Sequence, residues 1–405
     1  MHPATRRNTI LLAATLTCLS GMVQLVVAVS TISLVLVTGM ESILGLGPAI
    51  FLTANAIVAF PAGRAMDRFG RVPVLALGCV TGVAGCGVTA LGCAVASSVL
   101  VIVGFALVGA SQGTILLARL AAADLYPPER RGRGISYVLL GALFGAAMGP
   151  LIFRPLLSGK DLELDALVLP YLAAGGIMVV GLALVLSVRP DPKRIAELIG
   201  GEAGRPAPAR PLAEILRSPG VPGALTAAVA SFAVMVGVMN LTGYIVVDHG
   251  HHQADVFTVI SAHIVGMYAL VLVIGGLIDR AGRRPALAGG LALEAVSVLA
   301  LVWFDGVGAT SLALFGLGLG WNLSYVAAAT ELADAATASE RGRLIGLTDL
   351  ISAAAGAALA LGGGAIYSAA GIAPFAVGTA LLAALPAAWV LLRARGSAVP
   401  AAQAP

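Results

Sequence analysis

The sequence predicts an all-α integral membrane protein whose twelve transmembrane helices form two related six-helix bundles. Three observations lead there. The chain of 405 residues is 59% hydrophobic and only 11% charged, whereas soluble domains carry about 25% charged residues. Apolar runs close to the roughly 20 residues needed to cross a bilayer recur along its length. A short charged pattern punctuated by glycine also occurs twice. It reads Gly63-x-x-x-Asp67-Arg68-x-Gly70-Arg71-x-Pro73 and, 212 residues later, Gly275-x-x-x-Asp279-Arg280-x-Gly282-Arg283-x-Pro285. Both copies are expected to be turns between the second and third crossings of their halves.

The first bundle is expected over 1–188, with spans near 9–37, 45–62, 73–93, 98–122, 134–157 and 167–188. Arg6 and Arg7 precede the first run, which is too long for a signal segment and is read as an uncleaved helix. Cys79, Cys86 and Cys93 recur every seven residues on span 3, so successive sulfurs lie about 10 Å apart. That spacing excludes disulfides among them and fits small residues packed on one helix face. A polar linker follows at 189–222, with a Pro/Ala/Gly-rich middle and a short amphipathic helix expected around Leu212 to Leu216. The second bundle is expected over 223–395, with spans near 223–247, 256–277, 285–303, 307–332, 343–366 and 371–393. Residues 396–405 read as a disordered tail.

Orientation follows from the basic residues, which concentrate on the cytoplasmic side. With the amino terminus inside, all Lys and Arg except Arg119, Arg154 and Lys160 fall in termini, linker or inner loops. Both termini are therefore expected inside a cell (inner) membrane. The repeat also extends beyond the opening pattern. Asp124 precedes Arg131-Gly132-Arg133, and Asp334 precedes Arg341-Gly342-Arg343 at an offset of 210. Both copies of each pattern face inward, so the halves are expected to be parallel repeats about an axis along the membrane normal.

With these motifs the chain resembles the major facilitator superfamily of secondary transporters, from the first span to the twelfth. The resemblance implies two bundles rocking about a central cavity lined by spans 1, 4, 7 and 10. It implies that Asp67 caps span 11, where a helix N-terminus favours negative charge, and that Arg71 or Arg68 pairs with Asp124. By the duplication, Asp279 would cap span 5 and Arg283 would meet Asp334. Gly63, Gly70, Arg131, Gly275, Arg280, Gly282 and Arg341 complete this gating set. Charges kept inside only for topology are the alternative, but they do not explain a repeated Asp or glycines seven residues apart. Gly141, Gly145, Gly149 and Pro150 make a glycine ridge like that of superfamily exporters. Phe153 and Arg154 stand where those exporters have paired glycines. Gly109 stands where an arginine is usual before Gln112-Gly113, leaving Arg119 as a stand-in.

Ionisable residues inside spans are costly and mark function by default. Asp349 could carry a proton or partner an inner arginine. Glu294 could titrate or sit neutral in a packed setting. His263 suits proton coupling but equally a structural hydrogen bond. Gln24, Gln112, Asn240, Tyr244, Trp321, Asn322 and Tyr325 fall on the cavity spans, with Arg119 at the end of span 4. Amide and aromatic groups without a strong fixed charge suit an amphipathic organic substrate. The outer stretch Asp248-His249-Gly250-His251-His252 matches no compact metal motif, and no metal or cofactor is assigned.

The expected function is alternating-access transport, with proton-coupled efflux of a small amphipathic or hydrophobic compound as the leading form. A metabolite importer or metal exporter is the first alternative, and a non-transporting receptor or assembly subunit the second. No metalloprotease, nucleophile-elbow or phosphate-loop pattern occurs, which argues against an enzyme. The expected partners are a small molecule, protons and lipid, with no nucleic acid, and the chain is expected to act as a monomer.

Overall fold

A computed structural model of the chain describes residues 3–39, 46–148, 164–199, 209–250 and 253–395. All regular elements among them are helical. Nine helical stretches of the described residues are long and apolar enough to cross a membrane, or ten if one bent pair is counted as a span. The chain divides into two compact units, Met1–Ile215 with Ala336–Ala354, and Leu216–Ala335 with Ala355–Pro405.

In the first unit, α1 (Thr5–Thr38), α2 (Leu46–Phe69), α3 (Arg71–Ala94) and α4 (Ser98–Ile115) follow one another. A seven-residue α5 (Ala118–Asp124) continues α4 after a break at Leu116 and Leu117. Ser97 starts α4 by accepting the Leu100 N–H at 3.5 Å. The opening motif is not the turn that its charges imply, because α2 runs through Asp67 to Phe69. Only Gly70 leaves the helix, with φ 98°, and α3 begins at the next residue. A left-handed φ of that kind favours glycine. Cys79, Cys86 and Cys93 are buried and unpaired in disulfides, so their seven-residue repeat is helix packing.

The unit continues with α6 (Arg131–Met148), α7 (Leu164–Leu186) and α8 (Pro192–Ile199). The sequence reading placed no helix at α8, which buries Ile195 completely. A six-residue α9 (Leu212–Arg217) stands at the amphipathic stretch expected in the linker. The second unit holds α10 (Val221–Asp248), α11 (Gln253–Tyr268), α12 (Val271–Ala281), α13 (Arg283–Ala300) and α14 (Val307–Ala335). The eighth expected span, near 256–277, is bent by 41° between Thr258–Tyr268 and Val271–Ala281. α15 (Arg341–Ala370) belongs to the first unit up to Ala354 and to the second thereafter. α16 (Ile372–Arg395) ends the described chain.

Candidate functional site

The residues of the repeated motifs in the first unit gather into one buried cluster. Asp67 receives the Gly342 N–H on Oδ1 at 2.8 Å and the Arg343 N–H on Oδ2 at 2.7 Å. It therefore satisfies two of the amide groups that the first turn of α15 leaves without helical partners. The expected cap of span 11 is present in this geometry.

Arg71 is fully buried and extends the cluster in three directions. Its Nη1 donates to Asp67 Oδ1 at 3.0 Å, its Nε to Asp124 Oδ2 at 2.7 Å and its Nη2 to the Ala338 carbonyl at 2.7 Å. Arg341 donates from Nη1 to the other Asp124 oxygen at 2.6 Å and from Nε to the Ala336 carbonyl at 3.0 Å. Asp124 thus lies between two guanidinium groups. Of the two arginines expected to reach it, Arg71 does so, while Arg68 is exposed over the Phe69 ring at 5.1 Å. Arg131 is buried at the start of α6. The cluster balances two carboxylates against two guanidiniums, so little uncompensated charge is buried.

Glycine lets the two helices approach. A Cβ on Gly63 would stand 2.0 Å from the Gly342 carbonyl oxygen, and one on Gly342 would stand 2.1 Å from the Gly63 oxygen. One turn on, a Cβ on Gly346 would lie 2.5 Å from the Ala59 oxygen. Gly63 and Gly342 are thus packing requirements as much as motif letters.

The second copy repeats part of this geometry within its own unit. Gly282 has φ 92°, matching Gly70. Arg283 pairs with Asp334 at 2.5 Å and approaches Glu331 at 3.9 Å. Asp279 and Arg280 close α12, the first half-buried and the second exposed, and Gly275 is buried on the same helix.

Asp349 on α15 receives the guanidinium of Arg119 on α5. The Arg119 side chain is 2% exposed and that of Asp349 14%. Arg119 also donates from Nη1 to the Leu116 carbonyl at 3.0 Å. Of the two roles open to Asp349, an arginine partner is in place, though Arg119 lies on α5 and not on an inner loop. The same contact takes Arg119 away from the simple role of substrate anchor, because its charge is already matched. Asp349 Oδ2 is buried with no hydrogen-bond partner among the described residues.

The other candidates scatter. Gln24 is half-buried, and Gln112 accepts from Asn55 at 3.5 Å. Asn240 is exposed and donates to its own helix at the Val236 carbonyl, 2.8 Å away; the Tyr244 side chain lies outside the described residues. Trp321 stacks on Tyr325 with ring centroids 4.6 Å apart and meets Tyr268 edge-on at 6.3 Å. Asn322 is fully buried and donates to the Met267 carbonyl, so it joins helices where a cavity wall was expected. His263 is likewise buried, with Nδ1 2.9 Å from the Leu314 carbonyl, which is the structural one of its two readings. Glu294 is fully buried and accepts from Ser231 at 2.5 Å.

Gly141 and Gly145 face α1. A Cβ on either would come within 2.5 Å of the Ala13 or Thr17 carbonyl oxygens. Gly149 and Pro150 lie outside the described residues, as do His251 and His252. Among the described residues no group of three or more His, Cys, Asp or Glu could hold a metal.

Sequence reasoning missed four side chains beside this cluster. Asp191, Lys193 and Arg210 come from the linker, and Glu340 directly precedes Arg341. Asp191 followed by Pro192 and an amphipathic octet was a legible helix start. Glu340 stands next to the repeated arginine in the place that Arg130 holds in the first copy, so the duplication hides it.

The paired motifs and the helix they cap define a member of a known class. The Major Facilitator Superfamily model matches residues 9–260, and the chain belongs to that family of secondary transporters. It is 32% identical over 310 residues to the riboflavin transporter RfnT of Brucella anthropi, covering 75% of this chain and 74% of that one. It is 30% identical over 327 residues to the uncharacterized MFS-type transporter YdeG of Bacillus subtilis, covering 79% of this chain and 76% of the relative. The fold matches the proton:xylose symporter XylE with a TM-score of 0.77 at 15% identity, over 97% of this chain and 96% of that one. The protein is a non-enzymatic, multi-pass membrane transporter with the twelve-helix fold of its family.

Proposed function

We propose that the chain moves a small amphipathic organic compound across the cell membrane by alternating access, driven by protons. The observation that carries this reading is the capping of α15 by Asp67, reinforced by the buried Arg71–Asp124–Arg341 chain. A set of contacts this directional is suited to holding one side closed and to being dismantled as a unit. In this reading both termini and these motifs lie in the cytoplasm, so that the cluster acts as the inner gate and Arg283–Asp334 as its counterpart in the second half.

Asp349 is the proton site in this reading, because protonation would release Arg119 from its ion pair. The likeness to a riboflavin transporter supports a heteroaromatic metabolite. Export is the direction favoured by the Gly141 and Gly145 ridge, and uptake of a metabolite is the second reading, favoured by the relative named for riboflavin.

The test is transport by the purified protein in proteoliposomes under an imposed pH gradient, screened over flavins, drugs, sugars and amino acids. Movement of an amphipathic substrate that reverses when the gradient is reversed is expected. Transport of the active substrate at the same rate without any gradient would remove proton coupling. No movement of any compound would favour a non-transporting role.

A further inference from the structure

The linker is expected from its composition to be a surface tether, yet both of its described ends are built into the cluster. Asp191 accepts the Arg71 N–H at 3.2 Å and the Val72 N–H at 2.9 Å. It therefore caps α3 as Asp67 caps α15, and its Oδ1 also receives the Lys193 N–H at 2.8 Å. Lys193 in turn donates its ammonium to the main-chain carbonyl of Asp67. The amino terminus holds this end down, since Arg7 donates to the Arg189 carbonyl and Asn8 to the Pro190 carbonyl.

The other end is fixed at α15. Arg210 donates from Nε to Glu340 Oε1 at 3.0 Å and from Nη2 to Oε2 at 2.7 Å, and its main-chain N–H reaches Oε1 at 2.8 Å. Glu340 also accepts the Thr337 N–H at 3.1 Å and is 1% exposed. Arg343, whose N–H is capped by Asp67, donates its guanidinium to the Arg210 carbonyl. One end of the linker thus sets the corner that presents Asp67 and Arg71, and the other sets the first turn of α15 that receives Asp67.

We propose that Asp191 and Arg210 are positioning residues of the gate, each pre-organising one of the two surfaces that Asp67 joins. The inference rests on the gate reading given above. Each acts locally, at its own helix start, and not through the length of chain between them. Pre-organisation matters because a capping carboxylate and its amides hold each other only in a narrow geometry.

The experiment is maleimide labelling of Ala59→Cys in membrane vesicles, with Cys18, Cys79, Cys86 and Cys93 replaced by alanine. Ala59 is 1% exposed and its main-chain carbonyl lies against Gly346, so a thiol there becomes more accessible when α2 and α15 separate. Asp191→Asn and Arg210→Gln are expected to raise the labelling rate several-fold at unchanged abundance. The charge swap Arg210→Glu with Glu340→Arg is expected to bring the rate back toward that of the parent. Cutting the chain at a protease site inserted within 201–208 should leave the rate unaltered.

If Asp67→Asn speeds labelling but neither linker variant does, the positioning role is wrong and the gate reading survives. If Asp67→Asn has no effect either, the gate reading itself fails. A cut that speeds labelling on its own would show that the linker works as a tether, and would overturn the proposal. Where Arg210→Gln does not accumulate, Arg210→Gln with Glu340→Gln, which removes both charges together, takes its place, and where Asp191→Asn does not accumulate, Asp191→Glu does; a parental labelling rate in either substitute overturns the role of that residue.

Discussion

Asp124 is held at both oxygens by arginines that the sequence places 270 residues apart, Arg71 and Arg341. The pairing is buried, so its parts are not interchangeable. Asp124→Asn leaves two guanidiniums facing a neutral amide, and breaking a buried pair in this way costs about 3–5 kcal/mol. We expect a large loss of abundance and of thermal stability. Asp124→Asn combined with Arg341→Gln should recover part of both, as measured by size-exclusion profile and melting temperature in detergent.

Asp67→Asn is a different kind of change. The amide can keep one of the two α15 N–H contacts but loses the charge that faces the helix start, a change of about 0.5–2 kcal/mol for a cap. Folding and insertion should survive, while transport falls. Wild-type transport at wild-type abundance would show that the cap has no working role.

Gly63 and Gly342 make a steric prediction. Alanine at either position must displace a backbone carbonyl 2.0 or 2.1 Å away, and overpacking of this sort costs about 1–3 kcal/mol. Both variants should lower transport. Gly87→Ala, with no atom within 4 Å of its added Cβ, should be neutral or slightly stabilising in the same assays.

The Arg119–Asp349 pair predicts that abundance and transport respond differently in the single and the double variant. Asp349→Asn strands the Arg119 charge and should reduce both abundance and transport. Adding Arg119→Gln should restore abundance without restoring transport that depends on the pH gradient. Gradient-driven transport by the double variant would take the proton role away from Asp349.

At the linker, burial pushes the Glu340 carboxyl up, but the Arg210 hydrogen bonds and backbone N–H donors outweigh it and bring the group from 4.5 down to about 2. The folded state thus binds this proton more weakly than the unfolded state does. Its stabilisation is complete above about 4.5 and disappears as the pH falls toward about 2. Melting temperature should decline over that acid interval, and the decline should be shallower in Arg210→Gln with Glu340→Gln.

Much of this was legible because duplication writes the same information twice. The paired motifs point to the family; the capping role of Asp67 follows from that resemblance, and the Arg283–Asp334 contact from carrying it over to the second copy. The helical character of 63–69 was obscured because dense charge and glycine read as a turn, although α2 passes through both. Asn322 is a cavity candidate by its span alone, and His263 a candidate as an ionisable side chain within a span, with a structural hydrogen bond as its other reading. Their true partners are the Met267 and Leu314 carbonyls, and main-chain acceptors leave no mark in a sequence. Asp191 stands at a helix start that the sequence shows, but its partners are the Arg71 and Val72 main-chain N–H groups, and the Pro/Ala/Gly-rich middle of the linker gives no reason to expect Arg210 to be anchored.

The four side chains Asp67, Arg71, Asp124 and Arg341 sum to zero charge. Displacing them as a group therefore transfers no net electricity across the bilayer, where each elementary charge moved through 100 mV is worth about 2.3 kcal/mol. Any voltage dependence of turnover that involves these four side chains must then come from their separation and not from their joint displacement.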